Sequence, residues 1–132
     1  MTILIADDDR VHVQLVSSRL KKLGINVAVA FDAMQAFTLA IRTVPTAVLL
    51  DVNMPGGTGF EVLKRLKNSS KTNQIPVIVV SGSIDAKTAG AVKDLGADDY
   101  LPKPVDFDEL LRTLYRVLGL PIEPPSQLEA QK

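Results

Sequence analysis

The sequence predicts an α/β domain of five β-α units, (βα)5, around one parallel sheet. Short apolar runs alternate with longer amphipathic stretches, a pattern typical of repeated β-α units. The central runs are apolar throughout, as strands are when helices cover both faces of a sheet. With 132 residues, the chain is long enough for one domain that buries roughly two thirds of its unfolded surface.

Each unit begins with an apolar run that we interpret as a strand. The predicted strands are residues 3–6, 26–30, 47–50, 77–80 and a short run at 100–101. The first helix is predicted at residues 10–23, because Val13, Val16 and Leu20 recur at helical spacing and Gly24 suits a helix stop.

Capping signals locate the later helices. Three pairs have the spacing of an N-terminal capping box: Asp32 with Gln35, Thr58 with Glu61, and Asp106 with Glu109. Pro45 ends the second helix, and a weaker fourth helix is predicted at about residues 86–95. Residues 54–57, with one proline and two glycines, are predicted to form a loop.

Composition excludes several classes of protein. The chain is 46% hydrophobic and carries a formal net charge of +0, so nothing favours binding to nucleic acid or to an acidic membrane. It has no cysteine, which excludes disulfides and thiolate metal sites. No apolar stretch reaches the roughly 18 residues of a membrane span. We therefore expect a cytoplasmic protein with one domain at 1–120 and a proline-containing tail or linker at 121–132.

Polar side chains of different chemistry stand where four predicted strands end. Asp7 and Asp8 follow the first strand, Asp51 the third and Ser81 the fourth, while Lys103 follows the short fifth run. Ligands of open doubly wound sheets bind outside the carboxyl ends of the strands. We therefore expect three carboxylates, a hydroxyl and an ammonium at one edge of the sheet.

This set of groups suits phosphorylation of a carboxylate. Three carboxylates repel one another unless a cation joins them, and an all-oxygen ligand set suits Mg²⁺. Asp51 is the candidate acceptor, and Lys103 can neutralise the incoming charge. Backbone N–H groups at Asn53 and Gly82 can donate to phosphoryl oxygens, and Ser81 can form a hydrogen bond that only the modified protein offers.

Four ordered motifs resemble the receiver domain of bacterial response regulators over roughly residues 2–120. They are Ile-Ala-Asp7-Asp8, Leu-Leu-Asp51-Val-Asn-Met-Pro, Val-Val-Ser81-Gly82 and Tyr100-Leu-Pro-Lys103-Pro104. Thr58-Gly59 departs from the common Asp-Gly, and Val105 from a frequent Phe.

The resemblance implies a flavodoxin-like sheet of strand order 2-1-3-4-5 and a switch that is not an enzyme. A histidine kinase or histidine phosphotransfer protein would phosphorylate Asp51, and the product would control a downstream partner or effector domain. Mg²⁺ would be bound directly by Asp8, Asp51 and the carbonyl of Asn53, with Asp7 acting through water. Tyr100 would move inward with Ser81, and the Lys103–Pro104 peptide bond would be cis.

Three other functions compete with this interpretation. An aspartyl-phosphate phosphatase would need an acid where Asn53 stands, and a flavodoxin-like FMN carrier would not present three acids to the phosphate of its cofactor. A phosphorylation-independent interaction module remains open. His12, the lone histidine, is expected to be an exposed helix residue.

Overall fold

Five parallel strands form one sheet, and across it they lie in the order second, first, third, fourth, fifth along the chain, as the family resemblance predicted. The computed structural model describes residues 1–54, 59–82 and 85–120. Its strands are β1 (Thr2–Ala6), β2 (Asn26–Ala30), β3 (Ala47–Asp51), β4 (Val77–Ser81) and β5 (Asp99–Pro102). The order reverses between β1 and β3, so the switch point of the sheet lies between the two strands that lead to Asp7 and Asp51.

Five helices connect and cover the strands. They are α1 (Arg10–Lys22), α2 (Ala33–Thr43), α3 (Gly59–Asn68), α4 (Ala86–Asp94) and α5 (Phe107–Val117). None of the helices in the described part of the chain is long and apolar enough to cross a membrane. The predicted tail at 121–132 and most of the predicted loop at 54–57 lie outside the described residues, as does Thr58 of one capping box.

Alternating side chains of the strands form two cores, one on each face of the sheet. On one face, Leu4 and Leu50 pack with the apolar stripes of α2 and α3. On the other face, Ile3 and Ile78 pack with α1 and α5. The three central strands β1, β3 and β4 are buried on both faces, which explains why their apolar runs are continuous, whereas the edge strands β2 and β5 are more exposed.

Capping side chains begin the helices where the sequence predicted. The Asp32 carboxylate accepts the Gln35 N–H at 2.8 Å, and Asp106 accepts the Glu109 N–H at 3.2 Å. The carboxamide oxygen of Gln35 accepts the N–H of Phe31, the residue before the N-cap Asp32. The second helix ends before Pro45, as expected, through a left-handed Val44 at φ 43°. The caps thus give α2 and α5 a defined start.

Candidate functional site

An acidic pocket lies at the carboxyl edge of the sheet. Asp51 and Ser81 are the last residues of β3 and β4, and Asp7 directly follows β1. Lys103 follows β5, and its backbone N–H donates to the carbonyl of Ser81 at 2.9 Å. Groups that are as many as 96 positions apart in the chain, Asp7 and Lys103, are thereby brought together.

The ammonium of Lys103 joins two buried carboxylates. Its Nζ lies 3.0 Å from Oδ1 and 2.9 Å from Oδ2 of Asp7, and 2.9 Å from Oδ2 of Asp51. Asp7 is 2% exposed and Asp51 5% exposed, so both charges have little water to solvate them. Carboxylates buried to this degree need a cation or several hydrogen-bond donors nearby, and Lys103 is the cation that they share.

Asp8 completes a group of three acids. One carboxylate oxygen from each of Asp7, Asp8 and Asp51 lies within 4.8 Å of the other two. Asp8 itself is exposed, so the group opens to solvent on that side. Oxygen donors at this spacing fit a hard divalent cation such as Mg²⁺, which needs only a few protein ligands and keeps water in its remaining positions.

Asp7 is held as an anion. Burial raises its pKa, but hydrogen bonds from His12, from the N–H of Asp9 and from Lys103 outweigh burial, and the pKa falls to about 2. Asp9 donates to Oδ1 at 2.9 Å and the His12 ring faces Oδ2 at 3.1 Å. Each oxygen of this carboxylate therefore has its own donor in addition to the shared ammonium.

Asp51 is shifted in the opposite direction. Burial raises its pKa, the N–H of Asn53 (2.9 Å from Oδ1) and Lys103 offset burial only in part, and the negative charge of Asp7 adds to the rise. For Lys103, burial alone would lower the pKa, but its hydrogen bonds and its attraction to the two carboxylates raise it. Lys103 is thus stabilised as a cation and Asp7 as an anion, whereas the anionic form of Asp51 is less well stabilised.

The other predicted site residues lie in or just after β3, β4 and β5. The backbone N–H of Asn53 already points at Asp51, while the Asn53 side chain is exposed. Ser81 is fully buried and Tyr100 is 40% exposed. Gly82 is exposed, and a Cβ added there would meet none of the described residues within 4 Å. The Lys103–Pro104 peptide bond is cis.

His12 corrects one expectation, because it is not an exposed helix residue. Its side chain is only 12% exposed and contacts Asp7. The physical reason is its place in α1: Asp9 is the N-cap, and its carboxylate accepts the N–H of His12 at 3.1 Å. A residue three positions after this cap faces back towards the end of β1. In the sequence, the N-cap Asp9 together with the strand-end acid Asp7 was the signal that could have predicted this position of His12.

The fold and this pocket define a class: a doubly wound α/β domain with three carboxylates and one lysine at its switch point. A family model described as "Response regulator receiver domain" matches residues 3–115. The chain belongs to this family. Members of it are phosphorylation-operated signalling switches that receive phosphoryl groups from kinases and act on output partners, generally without being catalysts.

Similar proteins support the assignment. The chain is 39% identical over 118 residues to the DNA-binding dual master transcriptional regulator RpaA of Synechocystis, covering 88% of this chain and 48% of RpaA. It is 37% identical over 117 residues to protein PilH of Pseudomonas aeruginosa, covering 89% of this chain and 97% of PilH. The chain spans about half the length of RpaA.

A solved receiver-domain structure is similar over most of its length. The receiver domain of sensor histidine kinase PA1611 from Pseudomonas aeruginosa superimposes with a TM-score of 0.82 at 27% identity, covering 89% of this chain and 97% of that one. That structure is described with a magnesium ion coordinated in its active site cleft.

Proposed function

We propose that Asp51 accepts a phosphoryl group from a histidine kinase or histidine phosphotransfer protein, with Mg²⁺, and that the modified domain controls a downstream partner or effector domain. The observation that carries the proposal is the ammonium of Lys103 set between the buried carboxylates of Asp7 and Asp51. A cation shared by two acids can be drawn to a new anion without leaving the pocket, which is what a charge-operated switch requires.

The residues for Mg²⁺ would be Asp8, Asp51 and the carbonyl of Asn53, with Asp7 acting through water. Three carboxylate oxygens within 4.8 Å and the absence of sulfur or nitrogen from the set suit this hard cation. When bound, Mg²⁺ supplies positive charge against the oxygens of the phosphoryl group. The protein residues then have to position the acceptor and neutralise the remaining charge.

In the transfer step, an Asp51 carboxylate oxygen forms a bond to phosphorus while the bond from phosphorus to the donor nitrogen breaks. The phosphoryl group brings negative charge that was absent before, and Lys103 is positioned to meet it. The N–H groups of Asn53 and Gly82 and the hydroxyl of Ser81 would donate to its other oxygens. Each of these contacts favours one conformation of the modified domain, and the ring of Tyr100 would follow Ser81 inward.

We further propose that residues 1–120 form the receiver domain and that 121–132 serve as a tail or linker. The chain would act as a stoichiometric acceptor, because the carboxamide of Asn53 cannot give up and recover a proton as the acid of a phosphatase would. An interaction module that works without phosphorylation is the second candidate, and the same experiment separates the two.

The test is incubation with acetyl phosphate and Mg²⁺, followed by intact mass spectrometry. The wild-type chain and Asp94→Asn, which changes an exposed acid on α4, should each gain one phosphoryl group. Asp51→Asn and the wild-type chain in EDTA should gain none, and hydroxylamine should remove the group as it does from acyl phosphates. Equal labelling of Asp51→Asn would contradict the acceptor assignment, and an unlabelled wild-type chain would favour the interaction module. Phosphotransfer from a panel of kinases would then identify the donor.

A further inference from the structure

His12 occupies a position beside the pocket that the chemistry described above does not use. Its ring is largely buried, Nδ1 lies 3.1 Å from Oδ2 of Asp7, and Nε2 is buried without a hydrogen-bond partner among the described residues. It is the single histidine of the chain.

The contacts determine which ring nitrogen carries the hydrogen. Asp7 faces His12 as an acceptor, because its carboxylate already accepts hydrogen bonds from the Asp9 N–H and from Lys103. If Nδ1 carried no hydrogen, its lone pair would face a lone pair of Asp7 Oδ2. The hydrogen would then be on Nε2, where it would be buried without an acceptor. With the hydrogen on Nδ1 the bond to Asp7 forms, and Nε2 keeps only an unused lone pair, which is the less costly group to bury.

We propose that His12 is a positioning residue that donates from Nδ1 to Asp7 and holds its carboxylate in the orientation required by the cation site. The inference rests on the proposed function, because it concerns the same pocket. It goes beyond that function by assigning a role to a residue on α1 that is neither the acceptor nor a ligand.

Asp7 shows why such a residue is needed. Three groups donate to its carboxylate: the Asp9 N–H, the His12 ring and Lys103. Lys103 is shared with Asp51 and is the group that a new phosphoryl anion would attract. Once Lys103 turns to that anion, the Asp9 N–H still holds Oδ1 and His12 still holds Oδ2. The carboxylate therefore keeps its place while the charge beside it changes.

The His12 ring is itself held firmly. Its backbone N–H is bonded to the N-cap carboxylate of Asp9, which fixes the first turn of α1. The space left near the ring is a cavity of about 10 Å³, lined also by Val16 and Val105. A cavity of this size is roughly one water molecule wide, so the ring has little room to turn away from Asp7.

Metal ligands that lose a supporting hydrogen bond usually lose about 10- to 100-fold in metal affinity. His12→Leu keeps an apolar side chain of similar size but removes the donor, so we expect its Mg²⁺ Kd to rise about 10-fold. His12→Asn puts an amide nitrogen close to the position of Nδ1 and should restore the Kd to within about 3-fold, while His12→Gln, one carbon longer, should not.

The experiment measures Mg²⁺ Kd by isothermal titration calorimetry for the wild-type chain and these three variants. Each variant is also melted to separate lost stability from lost affinity. A merely structural role would lower the melting temperature of His12→Leu and leave its Kd unchanged, and that result would overturn the proposal. Tighter Mg²⁺ binding by His12→Asn than by His12→Leu and His12→Gln supports it.

A second measurement does not depend on the variants folding. Because the chain has one histidine, ¹⁵N-labelled histidine gives a single pair of ring nitrogen signals that assign the tautomer directly. Hydrogen on Nδ1 is the expected result, and hydrogen on Nε2 would overturn the contact with Asp7. If the wild-type chain bound no Mg²⁺, the proposed function would fail, and the nitrogen signals would still decide whether His12 holds Asp7.

Discussion

Replacing Lys103 by methionine removes one positive charge from between two buried carboxylates. Methionine keeps most of the apolar length of the lysine side chain, which is only 17% exposed, so packing changes little. The Nζ atom lies 2.9 Å from Oδ2 of both Asp7 and Asp51, and no other described lysine or arginine is paired with either. In the variant the two acids keep their burial and lose their shared cation.

The magnitude follows from the spacing of the acids. For unit charges 4.8 Å apart, the upper distance between their nearest oxygens, repulsion at an effective dielectric constant of 20 is about 3.5 kcal/mol. Asp51 can escape part of this by taking up a proton, since its pKa is already raised. We therefore expect the free energy of unfolding at pH 7 to fall by about 2–4 kcal/mol in EDTA.

Magnesium should reverse part of that loss, because it returns positive charge to the same oxygens. The Mg²⁺ Kd of Lys103→Met should be about 10-fold lower than that of the wild-type chain, since the ammonium no longer repels the ion or occupies Oδ2 of Asp51. A tenfold difference in Kd corresponds to about 1.4 kcal/mol, so saturating Mg²⁺ should shrink the stability difference by about that amount.

Urea unfolding at pH 7, in EDTA and in saturating Mg²⁺, measures the stability difference, and calorimetry measures the Kd. Lys93→Met, at an exposed position on α4, is the matched control and should change neither quantity. Weaker Mg²⁺ binding by Lys103→Met, or an equal loss of stability with and without Mg²⁺, would refute the electrostatic reasoning.

Three further predictions concern pH and the backbone. The folded pKa of Asp7, about 2, lies below its ordinary 3.8, so its carboxylate stabilises the fold above pH 3.8. That contribution, about 2 kcal/mol, is lost as the pH falls from 3.8 towards 2, and urea titrations of Asp7→Asn should lack this loss. A Cβ on Gly59 would overlap the backbone at Val52, so Gly59→Ala should cost about 1–3 kcal/mol, whereas Gly90→Ala, in open space on α4, should stabilise by about 0.5–1 kcal/mol. Val44 has a left-handed backbone at φ 43°, and Val44→Asn should raise the unfolding free energy by about 1 kcal/mol.

Most of the fold could be predicted because its signals are local. A strand buried on both faces needs an unbroken apolar run, and β3 and β4 each consist of such a run extended by the polar residue at its end, Asp51 or Ser81. The caps of α2 and α5 each depend on one acid and the N–H three residues later, a spacing that can be read directly from the sequence. The strand order, by contrast, depends on contacts between distant runs and came from the family resemblance.

The site was predictable as a set of residues and less so as an arrangement. The carboxyl ends of all strands in a parallel sheet lie at the same edge, so Asp7, Asp51 and Lys103 had to meet there. Which carboxylate oxygen each donor takes depends on the turn after β1 and on the first turn of α1. That geometry brings His12 to Asp7, and no composition or periodicity argument contains it.

Asp7 and Asp51 have the same chemistry, and the pocket gives them different roles through unequal numbers of donors. Asp7 receives hydrogen bonds from Asp9, His12 and Lys103, and its pKa falls, so it remains a fixed anion. Asp51 receives them from Asn53 and Lys103, and burial keeps its pKa above the ordinary value. A carboxylate with a higher pKa is the more basic one, and its oxygen is the better nucleophile towards phosphorus. The donor that Asp7 has in addition, the His12 ring, therefore helps to separate the carboxylate that holds charge from the one that we propose as the phosphoryl acceptor.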